Sequence, residues 1–425
     1  NHVARGYYSD AKPASVMSFG AQDDTSKAFS PQNDFYYIPK TSFIVPQGVD
    51  AGGPDFHSPL KDGKFNEHPA KATGNNVFRP DPSIDDWYET IKLNYGVDIL
   101  DNNKEYFDPI PPVWEKMRDI LSFWAKKGVD GFRCDVAEMV PVQFWHWVIP
   151  QIKSINPKII FIAEAYSPDK YQHYINYGHF DYLYNKVGLY DVLRRLIEND
   201  PDANTQSIDS VMQAQKAFSP HMLDFLENHD EQRIASEFFA GNPWYAKPAM
   251  AIAATISKAP VMIYFGQELG EKAEGIEGFG SDDGRTTIFD YWSVPTVRRW
   301  NDNGKFDEAR LTDDEKRLRG YYQKLLHIVK ENSAIENGHY TDMRNSDFGK
   351  KQFAYLRYDQ NEKILVAGNF DRSKPFSATI RLPEIMNDRY YHSGTDLLTN
   401  RKYAIGDNMI DIRVPPSDVL ILKLK

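Results

Sequence analysis

From about Pro112 to Pro260 the sequence alternates between helix-like and strand-like hydrophobic patterns, and this alternation constrains the fold more than any other feature. Helical segments such as VWEKMRDILSFWAKKG, which ends at Gly128, alternate with short apolar runs. Five of these runs lead into polar residues, in VDGFRCD, KIIFIAEA, FDYLYNK, MLDFLENHD and VMIYFGQE. Strands that alternate with helices form parallel sheets, so the region predicts an α/β fold, either a closed (β/α)8 barrel or an open doubly wound sheet.

The segments on either side of this region have different patterns. Residues 6 to about 90 are rich in Pro, Gly, Asn, Asp and aromatic residues, which predicts a long, partly irregular excursion. Thr312 and Glu315 have capping-box spacing at the start of an amphipathic helix. From about Phe348 short alternating runs are separated by turn residues, which predicts a C-terminal antiparallel β-sandwich over residues 345–425.

Composition excludes several classes of partner. The 50 Lys and Arg residues against 60 Asp and Glu give a net charge of -10, without a basic stripe, so nucleic acid is not expected to bind. The most apolar long stretch, from Pro248, contains Lys258 and Pro260 and predicts a core helix and strand, with no membrane span. The single Cys134 excludes an internal disulfide and leaves the compartment open, and the oligomeric state is not indicated.

Ionisable residues stand at the ends of successive predicted strands. Arg133 and Asp135 lie two residues apart and therefore on one side of a strand, Glu164 ends the next apolar run, and His229 and Asp230 follow a later one. A single acid at a strand end is more often a turn former or a helix cap. Because the carboxyl ends of parallel strands meet at one face, these five residues are instead expected to converge.

Such a cluster fits the cleavage of a glycosidic bond. In a retaining glycosidase one carboxylate attacks the anomeric carbon and a second carboxyl group protonates the leaving oxygen. An arginine beside the nucleophile favours its ionised form, and further polar groups stabilise the oxocarbenium-like transition state. Glycine-rich phosphate loops, a nucleophile elbow and zinc-ligand spacings are not found in the sequence, so nucleotide, serine-hydrolase and zinc chemistry are not indicated.

Several of these segments resemble one known family. GVDGFRCDVAE, FIAEAY and FLENHDEQR resemble the second, third and fourth signature regions of the α-amylase family, glycoside hydrolase family 13. IYFGQELG and IKLNYGVD are similar to the family's segments at barrel strand eight and at the end of its inserted domain B. The resemblance implies a (β/α)8 barrel, with Asp135 as the nucleophile, Glu164 as the acid/base and Asp230 as the transition-state stabiliser, contacted by Arg133 and His229.

The resemblance also implies a domain organisation. Asn1 and His2 match the Asn-His that ends the family's first signature at the tip of barrel strand three, which implies that His2 contacts the sugar. Residues 1–5 and 91–340 are then assigned to the barrel, and residues 6–90 to domain B. We therefore expect the natural protein to continue upstream, with barrel strands one and two and most of strand three before this point.

Finer features are similar to the neopullulanase, cyclomaltodextrinase and maltogenic amylase branch of the family. The sequences DVAEMV and KLN suggest this branch, and the resemblance implies that Val136 and Glu138 line the leaving-group side of the site. The alternatives are that Val136 is an ordinary core residue and that Glu138 is a solvated acid in a loop. The acid/base motif AEAY departs from the family, which commonly has Gly before the Glu and Val-Trp after it, so the contacts of Tyr166 stay open. Trp292, in GRTTIFDYWSVP, is expected near the cleft.

The resemblance implies no organic cofactor, but it raises the question of calcium. In many relatives the Asn of the first signature binds a structural Ca²⁺ together with oxygen ligands from domain B, which would make Asn1 a metal ligand. Asp23, Asp24 and Asp34 supply ligands of the right type. The alternative is that Asn1 is an ordinary hydrogen-bonding side chain.

The expected function is hydrolysis of α-glucosidic bonds with retention of configuration. The substrates would be malto-oligosaccharides, cyclodextrins or pullulan, cleaved at α-1,4 bonds and as a further option at α-1,6 bonds. A transglycosylase or isomerase that uses the same covalent intermediate is one alternative. A catalytically inactive glucan-binding protein on the same fold is another, and the presence of all three carboxylates argues against it.

Overall fold

The computed structural model describes residues 1–5, 18–49, 67–274, 283–286, 294–384 and 391–425. The chain divides into two compact units, Asn1–Leu183 and Tyr184–Lys425. Among the described residues, no helix combines the length and the apolar character that a membrane crossing requires.

The first unit begins with short strands and continues with helices and parallel strands. Its strands are β1 (His2–Ala4), β2 (Tyr37–Ile38), β3 (Ala70–Lys71), β4 (Thr90–Lys92), β5 (Val97–Asp98), β6 (Lys104–Glu105), β7 (Gly131–Cys134), β8 (Ile160–Ala163) and β9 (Tyr182–Tyr184), the last of which ends at the first residue of the second unit. Its helices are α1 (Pro112–Lys126), α2 (Val142–Ile155) and α3 (Tyr171–Asn176).

The early part of this unit consists of short antiparallel pairs. β1 pairs with β4, β2 with β3, and β5 with β6. Arg5 is 1% exposed, forms an ion pair with Glu67, and donates from Nε to the Tyr88 carbonyl at 2.8 Å and from Nη2 to the Thr90 carbonyl at 2.9 Å. This buried arginine therefore ties residues 67–90 to the segment that precedes the predicted insertion. The domain boundaries given above stay predictions.

Helix α1 confirms the predicted helix and corrects its buried face. The helix begins at Pro112, and Gly128, at φ +90°, follows its end. The sequence pattern places Val113, Met117, Ile120, Leu121 and Trp124 on one apolar face, but the Trp124 side chain is 50% exposed. Trp114 is buried instead, because its indole Nε1 donates to the Tyr95 carbonyl at 3.1 Å and its rings pack against Phe144.

The parallel strands of this unit bring the ends of two motifs to one edge. β7 pairs in parallel with β8, in a register that joins Cys134 to Ala163, and β8 pairs in parallel with β9. Gly131 opens β7 because a Cβ there would lie 2.5 Å from Ile160 Cγ1. The residues that directly follow β7 and β8 therefore lie side by side.

The second unit contains the remaining helices and strands of the described ranges. Its helices are α4 (Asp191–Ile197), α5 (Gln206–Ala214), α6 (Lys247–Thr255), α7 (Pro295–Asn301), α8 (Asp313–Glu331) and α9 (Ser333–Glu336). Its strands are β10 (Met222–Phe225), β11 (Val261–Met262), β12 (His339–Asp342), β13 (Gln352–Tyr358), β14 (Lys363–Asn369), β15 (Phe376–Arg381), β16 (Ser393–Asp396), β17 (Lys402–Gly406), β18 (Met409–Val414) and β19 (Asp418–Leu424).

Strands β10 and β11 are parallel and are connected through α6. Pro248 to Thr255 of α6 are all buried, so this helix is part of the core, as its apolar sequence predicted. The alternation of parallel strands and helices in both units agrees with the predicted α/β class.

Strands β12 to β19 form an eight-stranded antiparallel sheet in the order β12-β13-β14-β19-β16-β17-β18-β15. Alternate residues of β14 point into two different cores. Leu365 packs with Ile380 and Ile410 of β15 and β18, whereas Ile364 packs with residues of α6 and α8. The sheet therefore folds over on itself, and the predicted C-terminal sandwich is confirmed.

Candidate active site

Two predicted carboxylates of the first unit are held together by one arginine. Asp135 directly follows β7, and Glu164 directly follows the paired strand β8. Arg133 donates from Nη1 to Asp135 Oδ1, and its Nη2 forms an ion pair with Glu164 Oε2 at 3.0 Å. The structure thus brings together three of the residues that the sequence predicted to converge.

The two carboxylates differ in their exposure. The side chain of Asp135 is 52% exposed, whereas that of Glu164 is 6% exposed. An exposed carboxylate held by a guanidinium is accessible to an incoming electrophile. A buried carboxyl group loses the water that would hydrate its charged form, so protein hydrogen-bond donors must take the place of that water. The two carboxyl groups therefore stand in different surroundings, one open to solvent and one buried among hydrogen-bond donors.

Glu164 is held through both of its oxygens. Oε2 accepts from the Val136 backbone N–H at 2.7 Å and is paired with Arg133, and Oε1 accepts from the Tyr166 hydroxyl at 2.7 Å. The backbone N–H of Glu164 also donates to the Cys134 carbonyl at 3.0 Å. Val136 adopts a left-handed conformation, at φ +39°, which aims its N–H at the carboxylate. This places Val136 beside the acid, whereas its contact with substrate stays a prediction.

Glu138 fixes the loop that carries Tyr166. Its carboxylate accepts from the backbone N–H groups of Tyr166 at 2.9 Å and of Ser167 at 3.1 Å. The side chain is therefore neither a free loop acid nor an isolated group, because it connects the loop after β7 to the loop after β8. The contact with the leaving group that the resemblance implies is not tested by this arrangement.

Asn1 and His2 lie beside β4. Lys92 donates from Nζ to Asn1 Oδ1 at 2.8 Å, and Asn1 Nδ2 donates to the Gly74 carbonyl at 3.0 Å. The rings of His2 and Trp87 are 5.6 Å apart. Burial lowers the pKa of Lys92 to about 7.

This arrangement does not fit a calcium ion on Asn1. Its side-chain oxygen already accepts from the Lys92 amine, which when protonated would repel a divalent cation. Asp34 is paired with Lys116, and Asp23 accepts from the backbone N–H groups of Asp34 and Phe35. Within the described ranges, no group of three or more His, Cys, Asp or Glu side chains is arranged to hold a metal ion.

The second unit positions the remaining predicted motif after β10. Asn228 Oδ1 accepts from the backbone N–H groups of Asp230 and Glu231, both at 2.9 Å, and His229 Nε2 lies 3.4 Å from Asp230 Oδ2. His229 is buried, and the side chain of Asp230 is 37% exposed. The motif therefore forms a tight turn that leaves the Asp230 carboxylate partly exposed to solvent. Trp292 lies outside the described residues.

A buried ion pair spans this turn. Arg233 is 0% exposed and donates from Nη1 to Glu227 Oε2 at 2.8 Å, from Nε to Thr286 Oγ1 at 2.8 Å and from Nη2 to the Phe265 carbonyl at 2.9 Å. Glu227 also accepts from the Ile234 N–H at 2.7 Å. A buried pair of this kind is costly to break, so both ends of the turn are held in place.

Sequence reasoning missed two contacts of the site. The departure of AEAY from the family pattern singled out Tyr166 but did not reveal that its hydroxyl contacts Glu164. The segment KLN indicates a branch and the end of domain B, but no local pattern indicates that its lysine, Lys92, donates to the side-chain oxygen of Asn1.

Comparison with known proteins agrees with the motifs. The family model for the catalytic domain of alpha-amylase matches residues 108–338. The chain is 28% identical to Alpha-amylase 3 of Dictyoglomus thermophilum over 282 residues, which are 62% of this chain and 54% of that protein. It is 25% identical to a cyclomaltodextrinase of a Bacillus species over 306 residues, which are 68% of this chain and 49% of that protein. The chain thus spans about half the length of these two curated relatives.

A transferase and a solved structure are also similar. The chain is 26% identical to the alpha-1,4-glucan:maltose-1-phosphate maltosyltransferase of Rhodospirillum rubrum, over 69% of this chain and 38% of that protein. The structure of alpha-amylase from Geobacillus thermoleovorans in complex with acarbose has a TM-score of 0.59 at 20% identity, over 80% of this chain and 66% of that chain. This likeness supports the predicted barrel over an open doubly wound sheet. Because the family model covers more than half of its residues, the chain belongs to the alpha-amylase family.

Proposed function

We propose that this chain carries the catalytic groups of a retaining glycoside hydrolase that cleaves α-glucosidic bonds of starch-derived glucans. The observation that carries the proposal is the Arg133 bridge between an exposed Asp135 and a buried Glu164. Family membership supports a glucan-active enzyme, and the names of the amylase and cyclomaltodextrinase relatives support α-1,4-linked substrates.

The proposed mechanism assigns one step to each carboxyl group. Asp135 attacks the anomeric carbon while Glu164 donates a proton to the leaving oxygen, which gives a glycosyl ester on Asp135 and a free sugar hydroxyl. Glu164 then takes a proton from water, which attacks the anomeric carbon and releases Asp135 with net retention. Arg133 stabilises the negative charge that returns to Asp135. By the family resemblance Asp230 stabilises the oxocarbenium-like transition state, and His2 and His229 contact sugar hydroxyls.

Transfer to a sugar acceptor is the second candidate function. The maltosyltransferase relative supports it, since its match extends over 69% of this chain. The covalent intermediate is common to both reactions, and the outcome depends on whether water or a sugar hydroxyl reaches the anomeric carbon. The preference between α-1,4 and α-1,6 bonds belongs to the same proposal.

We expect the protein to convert maltoheptaose, β-cyclodextrin or pullulan into shorter products whose new reducing ends first appear as the α-anomer in NMR spectra. Asp135→Asn and Glu164→Gln should each reduce kcat more than about 10³-fold, because each removes a reacting group. Asp411→Asn, which changes an exposed aspartate of β18, is the matched control and should be fully active.

Products longer than the substrate would establish the transferase instead of the hydrolase. Initial release of the β-anomer, or full activity of Asp135→Asn, would refute the retaining mechanism on these residues.

A further inference from the structure

The two oxygens of the Glu164 carboxylate have different partners. Oε2 is paired with the Arg133 guanidinium at 3.0 Å and accepts from the Val136 N–H at 2.7 Å. Oε1 accepts from the Tyr166 hydroxyl at 2.7 Å. A protonated carboxyl group cannot carry its hydrogen on an oxygen that already faces a cation and a backbone donor. The proton of Glu164 therefore belongs on Oε1, beside Tyr166.

A tyrosine hydroxyl can serve both protonation states of this carboxyl group. It donates to Oε1 when Glu164 is ionised, and after rotation of its O–H it accepts from the Oε1 proton when Glu164 is protonated. The tryptophan that the family commonly has at this position offers an indole N–H, which donates but cannot accept. Tyr166 therefore differs from a tryptophan at this position in its hydrogen-bonding capacity as well as in its shape.

We infer that Tyr166 is a further residue of the acid/base machinery, whose hydroxyl positions the proton-bearing oxygen of Glu164 and sets the pH range of proton donation. This inference rests on the proposed function, because it gives a role to Tyr166 only if Glu164 is the acid. Donation by Tyr166 to the ionised carboxylate favours loss of the proton, and acceptance from the protonated form directs the proton.

The position of Tyr166 is fixed by the residues around it. Its backbone N–H donates to Glu138, and it stands two residues after Glu164 in the loop that follows β8. In the part of the chain that the structure describes, charged groups at this position include Asp135, Glu138 and Arg133, which is paired with both Asp135 and Glu164. The Tyr166 hydroxyl reaches Oε1 at 2.7 Å.

Two variants separate donation from acceptance. Tyr166→Phe removes both, so the alkaline limb of the kcat/KM profile on maltoheptaose should move up by about one pH unit, because the ionised carboxylate loses one donor. Its kcat should fall about tenfold, because the proton is less well directed. Tyr166→Trp restores a donor and should return the alkaline limb toward the wild-type position while leaving kcat low.

A second substrate separates acid assistance from general damage to the site. Fluoride leaves from α-maltosyl fluoride without needing a proton from the enzyme, so Tyr166→Phe should hydrolyse this substrate at close to the wild-type rate. The matched control is Tyr177→Phe, which removes the hydroxyl of a partly exposed tyrosine in the same unit and should leave both substrates unaffected.

An active Tyr166→Phe enzyme whose pH profile and rates coincide with wild type on both substrates would overturn this inference while leaving the proposed function intact. An equal loss on maltoheptaose and on α-maltosyl fluoride would also overturn it, since that pattern indicates structural damage. Full activity of Asp135→Asn and Glu164→Gln would instead remove the proposed function, and this inference with it.

Discussion

Asp224 is a buried carboxyl group within β10, and 2% of it is exposed. Asn185 donates to its Oδ1 at 2.7 Å, and Ser257 is also hydrogen-bonded to it. Burial raises the pKa of Asp224 to about 7, whereas an aspartate in an unfolded chain has an ordinary value of 3.8. The protonated form is therefore the one that the folded unit accommodates, and the charged form costs stability.

The sign of this effect predicts a pH-dependent stability. The folded state retains a proton that the unfolded state loses, so the contribution of Asp224 is fully present below pH 3.8 and is lost as pH rises through about 7. Asp224→Asn keeps the shape without the charge. The difference in Tm between variant and wild type should therefore grow in favour of the variant by several degrees from pH 4 to pH 8.

Thermal melts by circular dichroism at the two pH values measure this difference. Asp411→Asn serves as the comparison, because Asp411 is exposed. A difference in Tm that is the same at pH 4 and pH 8 for Asp224→Asn would contradict the prediction.

At the scale of elements, α8 is held at its start by the capping box that the sequence predicted. The Glu315 N–H donates to Thr312 Oγ1 at 3.2 Å, and the Thr312 N–H donates to Glu315 Oε2 at 2.7 Å. Glu315 also pairs with Arg299 of α7. The cap thus joins two helices as well as satisfying the first donors of α8.

Removing this cap should destabilise the second unit. Thr312→Ala is expected to lower the free energy of unfolding by about 1 kcal/mol, because the Glu315 N–H loses its acceptor. Thr312→Ser retains the oxygen and should stay within a few tenths of a kcal/mol of wild type. Urea unfolding measures both values, and equal stabilities of the two variants would argue against the cap.

The start of α4 is a feature that the local sequence pattern does not predict. VGLYDVLRRLIEN predicts one helix, but α4 begins only at Asp191. Gly188 has φ +140°, and the Asn185 side chain accepts from the Leu189 N–H, so the preceding turn is wider than an α-helix. A Cβ at Gly188 would lie 2.8 Å from Gln215 Nε2, a contact with α5's C-terminal end that periodicity does not report.

At the scale of the whole chain, neighbouring residues of β14 connect different cores of the second unit. Ile364 packs in the core that contains α6, α8 and one face of the sheet, and Leu365 packs in the core between the two halves of the sandwich. Both side chains are 0% exposed. Because one strand serves both cores, the sandwich and the helices of this unit should unfold together.

Ile364→Ala and Leu365→Ala test this coupling. Each should cost about 2–5 kcal/mol, because each leaves a cavity in a packed core. Differential scanning calorimetry should show that both substitutions lower the same transition of the second unit. A separate low-temperature transition that only Leu365→Ala shifts would show that the sandwich unfolds on its own.

Much of the fold and part of the site could be predicted from local patterns. The helix over α1, the cap at Thr312 and the short C-terminal strands follow from periodicity and turn residues, which are properties of neighbouring positions. The pairing of Arg133 with Asp135 follows from their spacing along a strand. The exposure of Trp124 could not be predicted, since it depends on which surface the helix meets.

The sequence by itself determined the family, the alternation of helices and strands in the middle of the chain, and the acidic residues that follow β7, β8 and β10. Tertiary structure decided which atoms those residues meet. Lys92 reaches Asn1, and the Val136 N–H reaches Glu164, only because separate strands are paired in one register. Burial and hydrogen-bond partners arise from segments distant in the chain, and it is these partners that distinguish one oxygen of Glu164 from the other.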